Sequence, residues 1–164
     1  MYNFVMRIAL GADHAGVALK AHVKQALDDR CLTYEDFGAD SEAPVDYPDY
    51  ALRVARRVAS GSFDRGILIC GSGLGMAIAA NKVQGVRAAP ATDAETARLS
   101  REHNDANILT LGARLLSSDR VLDIIDAFLS TPFGGGRHKR RVDKISAIET
   151  DQDPGVDGRP ERTR

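Results

Sequence analysis

Gly66-Ile-Leu-Ile69 runs straight into Cys70-Gly-Ser-Gly-Leu-Gly75, and no other junction in the chain constrains the fold so tightly. A short unbroken apolar run with glycines at its end reads as a buried strand handing over to a helix, here expected from Met76 to Asn81. A strand buried on both faces belongs to a parallel sheet lying between helix layers. The Cys70 thiol then stands at the carboxyl end of its strand, the edge where open α/β sheets bind ligands. Glycines at that edge let backbone N–H groups point at an anion near a helix N-terminus.

Familiar anion-binding motifs fail on spacing. A dinucleotide fingerprint counted from Gly71 and Gly73 needs a third glycine where Met76 stands. A P-loop needs Gly-Lys-Ser/Thr, which does not follow. A cysteine phosphatase wants an arginine six residues after the thiol, and that position is again Met76. Taken alone, Cys70 reads as an inert buried thiol beside a tight turn, since cysteine is among the most frequently buried residues.

Along the chain, strand-like and helix-like patterns alternate. Arg7-Ile-Ala-Leu10 ends in Gly11-Ala-Asp-His-Ala-Gly16, and a helix follows with Leu19, Val23, Ala26 and Leu27 on one face. A short strand near Thr33 to Phe37 leads into a polar loop through Asp46-Tyr-Pro-Asp49. The next helix turns Ala51, Val54, Ala55, Val58 and Ala59 inward, with Arg53, Arg56 and Arg57 on a solvated face. Val86 to Ala91 reads as another buried strand. Thr92-Asp-Ala-Glu95 has capping-box spacing for a helix running to about His103. Asn107-Ile-Leu-Thr-Leu111 is a fifth strand ending at Gly112, followed from Ser117 by a helix with Val121, Leu122, Ile125, Phe128 and Leu129 inward. The expected fold is α/β: three layers, Rossmann-like, with a five-stranded parallel sheet covered by helices on both faces. Strand order is not legible in this pattern.

Thr131-Pro-Phe-Gly-Gly-Gly136 interrupts the alternation before a last helix, Arg137 to Ile148. Its run Arg137-His-Lys-Arg-Arg141 reads either as a solvated or nucleic-acid-binding charge cluster or as a phosphate grip. Arg137 and Arg141, four apart, can put both guanidinium groups on one helix face. Residues 1–149 form one domain, and residues 150–164, with almost no apolar side chains, are expected to be a disordered tail.

Composition narrows the class. A chain of 164 residues holds one domain with a real core. A net charge of −1 offers no global field for nucleic acid or an anionic membrane. No apolar stretch is long enough to span a bilayer, and the start lacks an export signal. A cytoplasmic protein is the expectation, with Cys31 and Cys70 reduced.

Four segments in order carry a family resemblance: Gly11-Ala-Asp-His-Ala-Gly16; Ile69-Cys-Gly-Ser-Gly-Leu-Gly75 with Ile78-Ala-Ala-Asn-Lys82; Ser100-Arg-Glu-His-Asn-Asp105; and Gly134-Gly-Gly-Arg-His-Lys-Arg-Arg141. Over Arg7 to Glu149 the chain resembles the ribose-5-phosphate isomerase B family, whose wider group includes galactose- and allose-6-phosphate isomerases. The resemblance implies aldose–ketose isomerisation of a sugar phosphate, ribose 5-phosphate in the non-oxidative branch of the pentose phosphate pathway. It implies no metal, no organic cofactor, and a homodimer or homotetramer whose pockets are shared between subunits.

By the same resemblance, Cys70 matches a base that moves a proton between the first two sugar carbons. A free thiol titrates at ~8.5, so work near neutrality needs N–H groups that favour the thiolate. Backbone amides of Gly71, Ser72, Gly73, Leu74 and Gly75 match the cradle for the enediolate oxygens, with the Ser72 hydroxyl as a further catalytic donor. His103 matches the ring-opening acid or base, and Asn104 a hydroxyl-binding amide. Asp13 and His14 match substrate contacts, and Asp13 also suits a helix N-cap. Arg114, Arg137 and Arg141 match phosphate ligands, and Tyr47 closes the pocket. Met76 stands where other members carry a carboxylate, so the chain resembles the thiol-using subtype. A six-carbon sugar phosphate is the alternative substrate. A non-catalytic sugar-phosphate sensor is a rival class, and so is a metal hydrolase built on Asp13, His14, His103 and Asp105.

Overall fold

The computed structural model describes residues 6–151; the segment expected to be a disordered tail lies, beyond Asp151, outside the described residues. Five strands, β1 (Arg7–Ala12), β2 (Thr33–Asp36), β3 (Arg65–Cys70), β4 (Ala88–Pro90) and β5 (Ile108–Gly112), pair in parallel in the order β2-β1-β3-β5-β4. Six helices join them: α1 (Val17–Asp29), α2 (Tyr47–Ala59), α3 (Leu74–Ala80), α4 (Ala94–Asn104), α5 (Ser118–Ser130) and α6 (Gly136–Glu149). None is long and apolar enough to cross a membrane among the described residues.

The sheet separates two cores. On one face Leu19, Val23 and Leu27 of α1, Ala97 of α4 and Val121, Ile124, Ile125 and Phe128 of α5 pack on Ile8, Leu10, Ile67, Ile69, Leu109 and Leu111. On the other, Ala51, Val54, Ala55 and Val58 of α2 and Met76 and Ala80 of α3 cover Ala9, Leu68, Cys70 and Ile108. Alternate residues of β3 and β5 thus feed opposite cores, which is why those strands read as unbroken apolar runs. Helix α6 covers neither face; it packs on α4 and buries Val142.

Several boundaries differ from the sequence expectation, each for a local reason. Tyr47 is the first residue of α2 rather than part of a loop, because Pro48 suits the first turn of a helix, where no backbone donor is needed. Ala59, expected inward, is exposed at the end of that helix. Helix α3 starts at Leu74, two residues early, because Gly73 takes a left-handed conformation (φ 79°) and completes the turn there. Strand β4 is shorter than expected, spanning Ala88–Pro90; Pro90 is tolerated because β4 is an edge. In α5, Leu122 and Leu129 are only half-buried and Ile124 is fully buried.

The cap of α4 is displaced by one residue. Asp93, not Thr92, is the N-cap: its carboxylate accepts the Thr96 N–H at 2.7 Å, and the Thr96 hydroxyl accepts the Asp93 N–H at 3.4 Å. These hydrogen bonds hold the Asp93 carboxyl below its ordinary range. Asp93→Ala is expected to lower the denaturation midpoint, and Thr92→Ala to lower it less. Chemical denaturation of the two variants distinguishes this register from the expected one.

Candidate active site

The chain order reverses between β1 and β3: β2 lies outside β1, whereas β5 and β4 continue beyond β3. At such a switch point the loops leaving adjacent strands diverge and open a crevice at the carboxyl edge. Asp13 and Cys70 flank it. The Asp13 N–H donates to the Ile69 carbonyl at 3.1 Å, fastening the two loops together. The Asp13 carboxylate accepts from Ala15 N at 2.9 Å and Gly16 N at 3.2 Å, so it caps the 3-10 turn His14–Gly16 that leads into α1. His14 accepts the Val45 N–H at Nδ1, 3.2 Å away. A neutral imidazole so bound carries its proton on Nε2, leaving that edge as a donor.

Cys70 ends β3 with its sulfur 3.1 Å from the Gly73 amide nitrogen, which donates to it, and the residue is only 5% exposed. Gly73 can make this bond because its positive φ folds the loop back over the strand end. The Ser72 hydroxyl is exposed and accepts the Leu74 N–H at 3.3 Å. Two side chains frame the loop. The Arg114 guanidinium lies over Gly71, 3.2 Å from where a β-carbon would stand, and the Arg114 N–H donates to the Gly71 carbonyl at 3.0 Å. The Tyr47 ring rests on Gly75, so close that a β-carbon there would meet it at 2.7 Å. Asp13, His14, Tyr47, residues 71–75 and Arg114 therefore gather at one edge of the sheet.

His103, Asn104, Arg137 and Arg141 do not join them within this chain. Helix α4 leaves the carboxyl end of β4 and runs back toward the start of β5, and its 11 residues rise about 16 Å. His103 and Asn104, at its end, consequently sit at the amino edge. The start of α6 is tied there too, by a 2.9 Å bond from Gly134 N to the Glu102 carbonyl. Its far end is held by Gly85 N, just before β4, which donates to Glu149 at 3.0 Å. Because Asp13 and His14 lie at the opposite edge from His103 and Asp105, these four residues do not form one metal-binding cluster.

The amino-edge group is tied together by charged hydrogen bonds. Arg101, only 3% exposed, donates to Asp105 at 2.8 Å and to the Ala106 carbonyl at 2.6 Å, with its guanidinium 5.9 Å from the Phe128 ring centroid. Arg87 reaches Asp105 from β4's side at 3.1 Å. Asp105 adopts a left-handed conformation (φ 46°), ending α4 just after the His103–Asn104 pair. The His103 ring is stacked on that of His138, with centroids 4.2 Å apart and planes within 8° of parallel. Sequence reasoning passed over His138, reading the basic run for its arginines alone; its place directly after Arg137 was the available signal. Desolvation, then the nearby His103, Arg137 and Arg141, push the His138 imidazole below its ordinary range, against an opposing pull from Glu102.

A model of the Ribose/Galactose Isomerase family matches residues 8–145. The chain belongs to this family. Ribose-5-phosphate isomerase B of Escherichia coli K12 is 46% identical over 143 residues, covering 87% of this chain and 96% of that protein. The ribose-5-phosphate isomerase B structure from Clostridium thermocellum superposes with a TM-score of 0.88 at 53% identity, over 89% of this chain and 99% of that one. The Mycoplasma genitalium ribose-5-phosphate isomerase B, solved with bound ribulose 5-phosphate, gives a TM-score of 0.86 at 42% identity, over 90% and 98% of the two chains. The family's three-layer fold is the one seen here, and the chain covers nearly the full length of these relatives.

The contact between Tyr47 and Gly75 yields a direct test. Gly75→Ala forces the ring off its seat and is expected to destabilise the protein by about 1–3 kcal/mol. In Tyr47→Ala/Gly75→Ala the loss is smaller than the sum of the two single losses, a coupling read from a denaturation double-mutant cycle.

Proposed function

We propose that this chain isomerises ribose 5-phosphate and ribulose 5-phosphate through an enediolate, with Cys70 as the base. The observation that carries the reading is the Gly73 N–H aimed at the Cys70 sulfur, at the switch point of a fold shared with ribose-5-phosphate isomerases B. The sulfur is thereby fixed in position beside the loop amides, where a proton it removes can be returned to the neighbouring carbon.

The reaction needs a proton taken from C2 of the open-chain aldose and returned to C1. Cys70 removes it, the enediolate forms, and the same sulfur delivers it to C1. Amides of residues 71–75 and the Ser72 hydroxyl face the developing oxygen charge. Asp13, His14 and Asn104 hold hydroxyls, Tyr47 covers the pocket, and Arg114, Arg137 and Arg141 bind phosphate. His103 opens the sugar ring. Neither metal nor organic cofactor takes part, and the reaction belongs to cytoplasmic pentose phosphate metabolism.

A single chain holds these groups at opposite sheet edges, which supports a homo-oligomer in which Cys70 of one subunit works with His103, Asn104, Arg137 and Arg141 of a partner. Exposed Leu74 and Ile78 on α3, beside the Cys70 loop, and Ile145 and Ile148 on α6 are apolar surface that such an association would cover.

Cys70→Ala is expected to lower turnover of ribose 5-phosphate by at least about 100-fold while ribulose 5-phosphate still binds, measured by ketose formation and by calorimetry. Undiminished turnover would exclude sulfur as the base, and no ketose from the parent protein would exclude the reaction. For shared pockets, Cys70→Ala and Arg137→Ala, each nearly inactive, are mixed after mild dissociation. About a quarter of the activity is expected to return, because a mixed dimer carries one pocket free of both substitutions. Pockets contained within one chain give no recovery.

A further inference from the structure

We propose that His138 is a positioning residue for ring opening: its neutral imidazole is the platform that holds the His103 ring in working orientation. This rests on the function proposed above, and on a contact that the reaction as described does not use. The two rings lie 4.2 Å apart and nearly parallel, each on a different helix. His103 is in the last turn of α4, and His138 in the first turn of α6. The Gly134–Glu102 backbone bond brings the two helix ends together and sets the spacing.

The surroundings of His138 disfavour charge on its ring. His138 stands in the first turn of α6, at the positive end of a helix, where a further cation is disfavoured. Its neighbours on α6 are Arg137 and Arg141. Facing it from α4 are His103 and Glu102, and Glu102 is itself in contact with Arg98. The 131–135 segment between α5 and α6 carries no ionisable side chain. His103 sits at the end of α4, with a Glu102 carboxylate oxygen 4.0 Å from its Nε2. Two imidazolium rings at this spacing would repel, so the stack persists while His138 is neutral.

Ring opening needs an imidazole able to gain and lose a proton without moving. The C1–O4 bond breaks as O4 takes a proton, and the C1=O1 bond forms as the anomeric hydroxyl gives one up. An imidazolium that delivers to O4 and recovers a proton from O1 ends unchanged. Stacking holds the ring by its face and leaves its edges for this exchange. As pH falls from about 6.5 through the lowered value of His138, that ring protonates, the stack opens, and ring opening slows.

The experiment compares ribose 5-phosphate with 4-deoxyribose 5-phosphate, which lacks the oxygen that closes the ring and is therefore always open. His138→Ala is expected to lower kcat on ribose 5-phosphate by about tenfold and leave turnover of the 4-deoxy sugar within about twofold of the parent. His138→Phe, which keeps a flat uncharged ring, restores most of the loss and flattens the decline of activity below about pH 6.5. Equal losses on both sugars would make His138 a structural or phosphate-binding residue and overturn the inference. So would unchanged activity in His138→Ala, or a His138→Phe variant with the parent's acid limb. A parent protein that isomerises neither sugar removes the proposed function itself, and this inference falls with it.

Discussion

Everything at the carboxyl edge depends on β1 and β3 lying side by side, parallel, with the strand order reversing between them. That pairing places the loops after Ala12 and Cys70 next to each other, and the Asp13 N–H to Ile69 carbonyl bond fastens them. Asp13 then does two things at once. Its backbone ties the loops, and its carboxylate caps the turn into α1, fixing the direction in which His14 leaves the sheet. The Val45 N–H on Nδ1, from the segment between β2 and α2, completes the orientation of His14. A ligand entering there meets side chains whose rotamers are already held by the backbone, which is how a site avoids spending binding energy on ordering itself.

The loop carrying Val45 is held by a buried charge. Lys20, 4% exposed, donates to Asp36 at 2.8 Å and to the Ala39 carbonyl at 2.5 Å. Burial works to raise the Asp36 carboxyl, but Lys20, the Gly38 N–H and Lys24 outweigh it and keep the group below its ordinary range. Composition gives no hint of such a pair, because a lysine on an amphipathic helix reads as surface. Arg101 is the same case at the opposite edge. Both are legible only once tertiary contacts supply the carbonyl and carboxylate that make burial affordable.

What could be read from the chain were the features that depend on neighbours in sequence. Gly66 to Ile69 betrayed a two-sided strand, and Leu19, Val23 and Leu27 a helix face, because burial imposes its period directly on the residues. The capping motif of α4 was recognised one residue out, since Thr92, Asp93 and Thr96 all carry oxygens able to cap and only backbone geometry selects among them. Strand order was illegible because parallel strands joined by helices can be laid down on either side of the first. Cys70, Gly73 and Gly75 were legible as one candidate group because a single short loop carries all three. His138 was not, because its meaning lies in a stack with a residue 35 positions earlier.

The division of site residues between the two sheet edges follows from the helix layer itself. In a parallel sheet every strand ends at the same edge, so each crossover helix must carry the chain back, and a residue at the end of such a helix reaches the amino edge. His103 is at the end of α4, and α6 begins beside it because α5 also returns the chain to that edge. Arg137 and Arg141 are thereby separated from Arg114. A phosphate held by Arg114 alone faces one cation, whereas a phosphate dianion is matched by two or more guanidinium groups and their forked donors. The loop that carries the Cys70 sulfur has Arg114 as its framing cation, whereas Arg137 and Arg141 stand at the opposite sheet edge, away from that sulfur. The dimer proposed above would bring the complementary halves together, and in pairs, since a two-fold axis that completes one pocket completes the other.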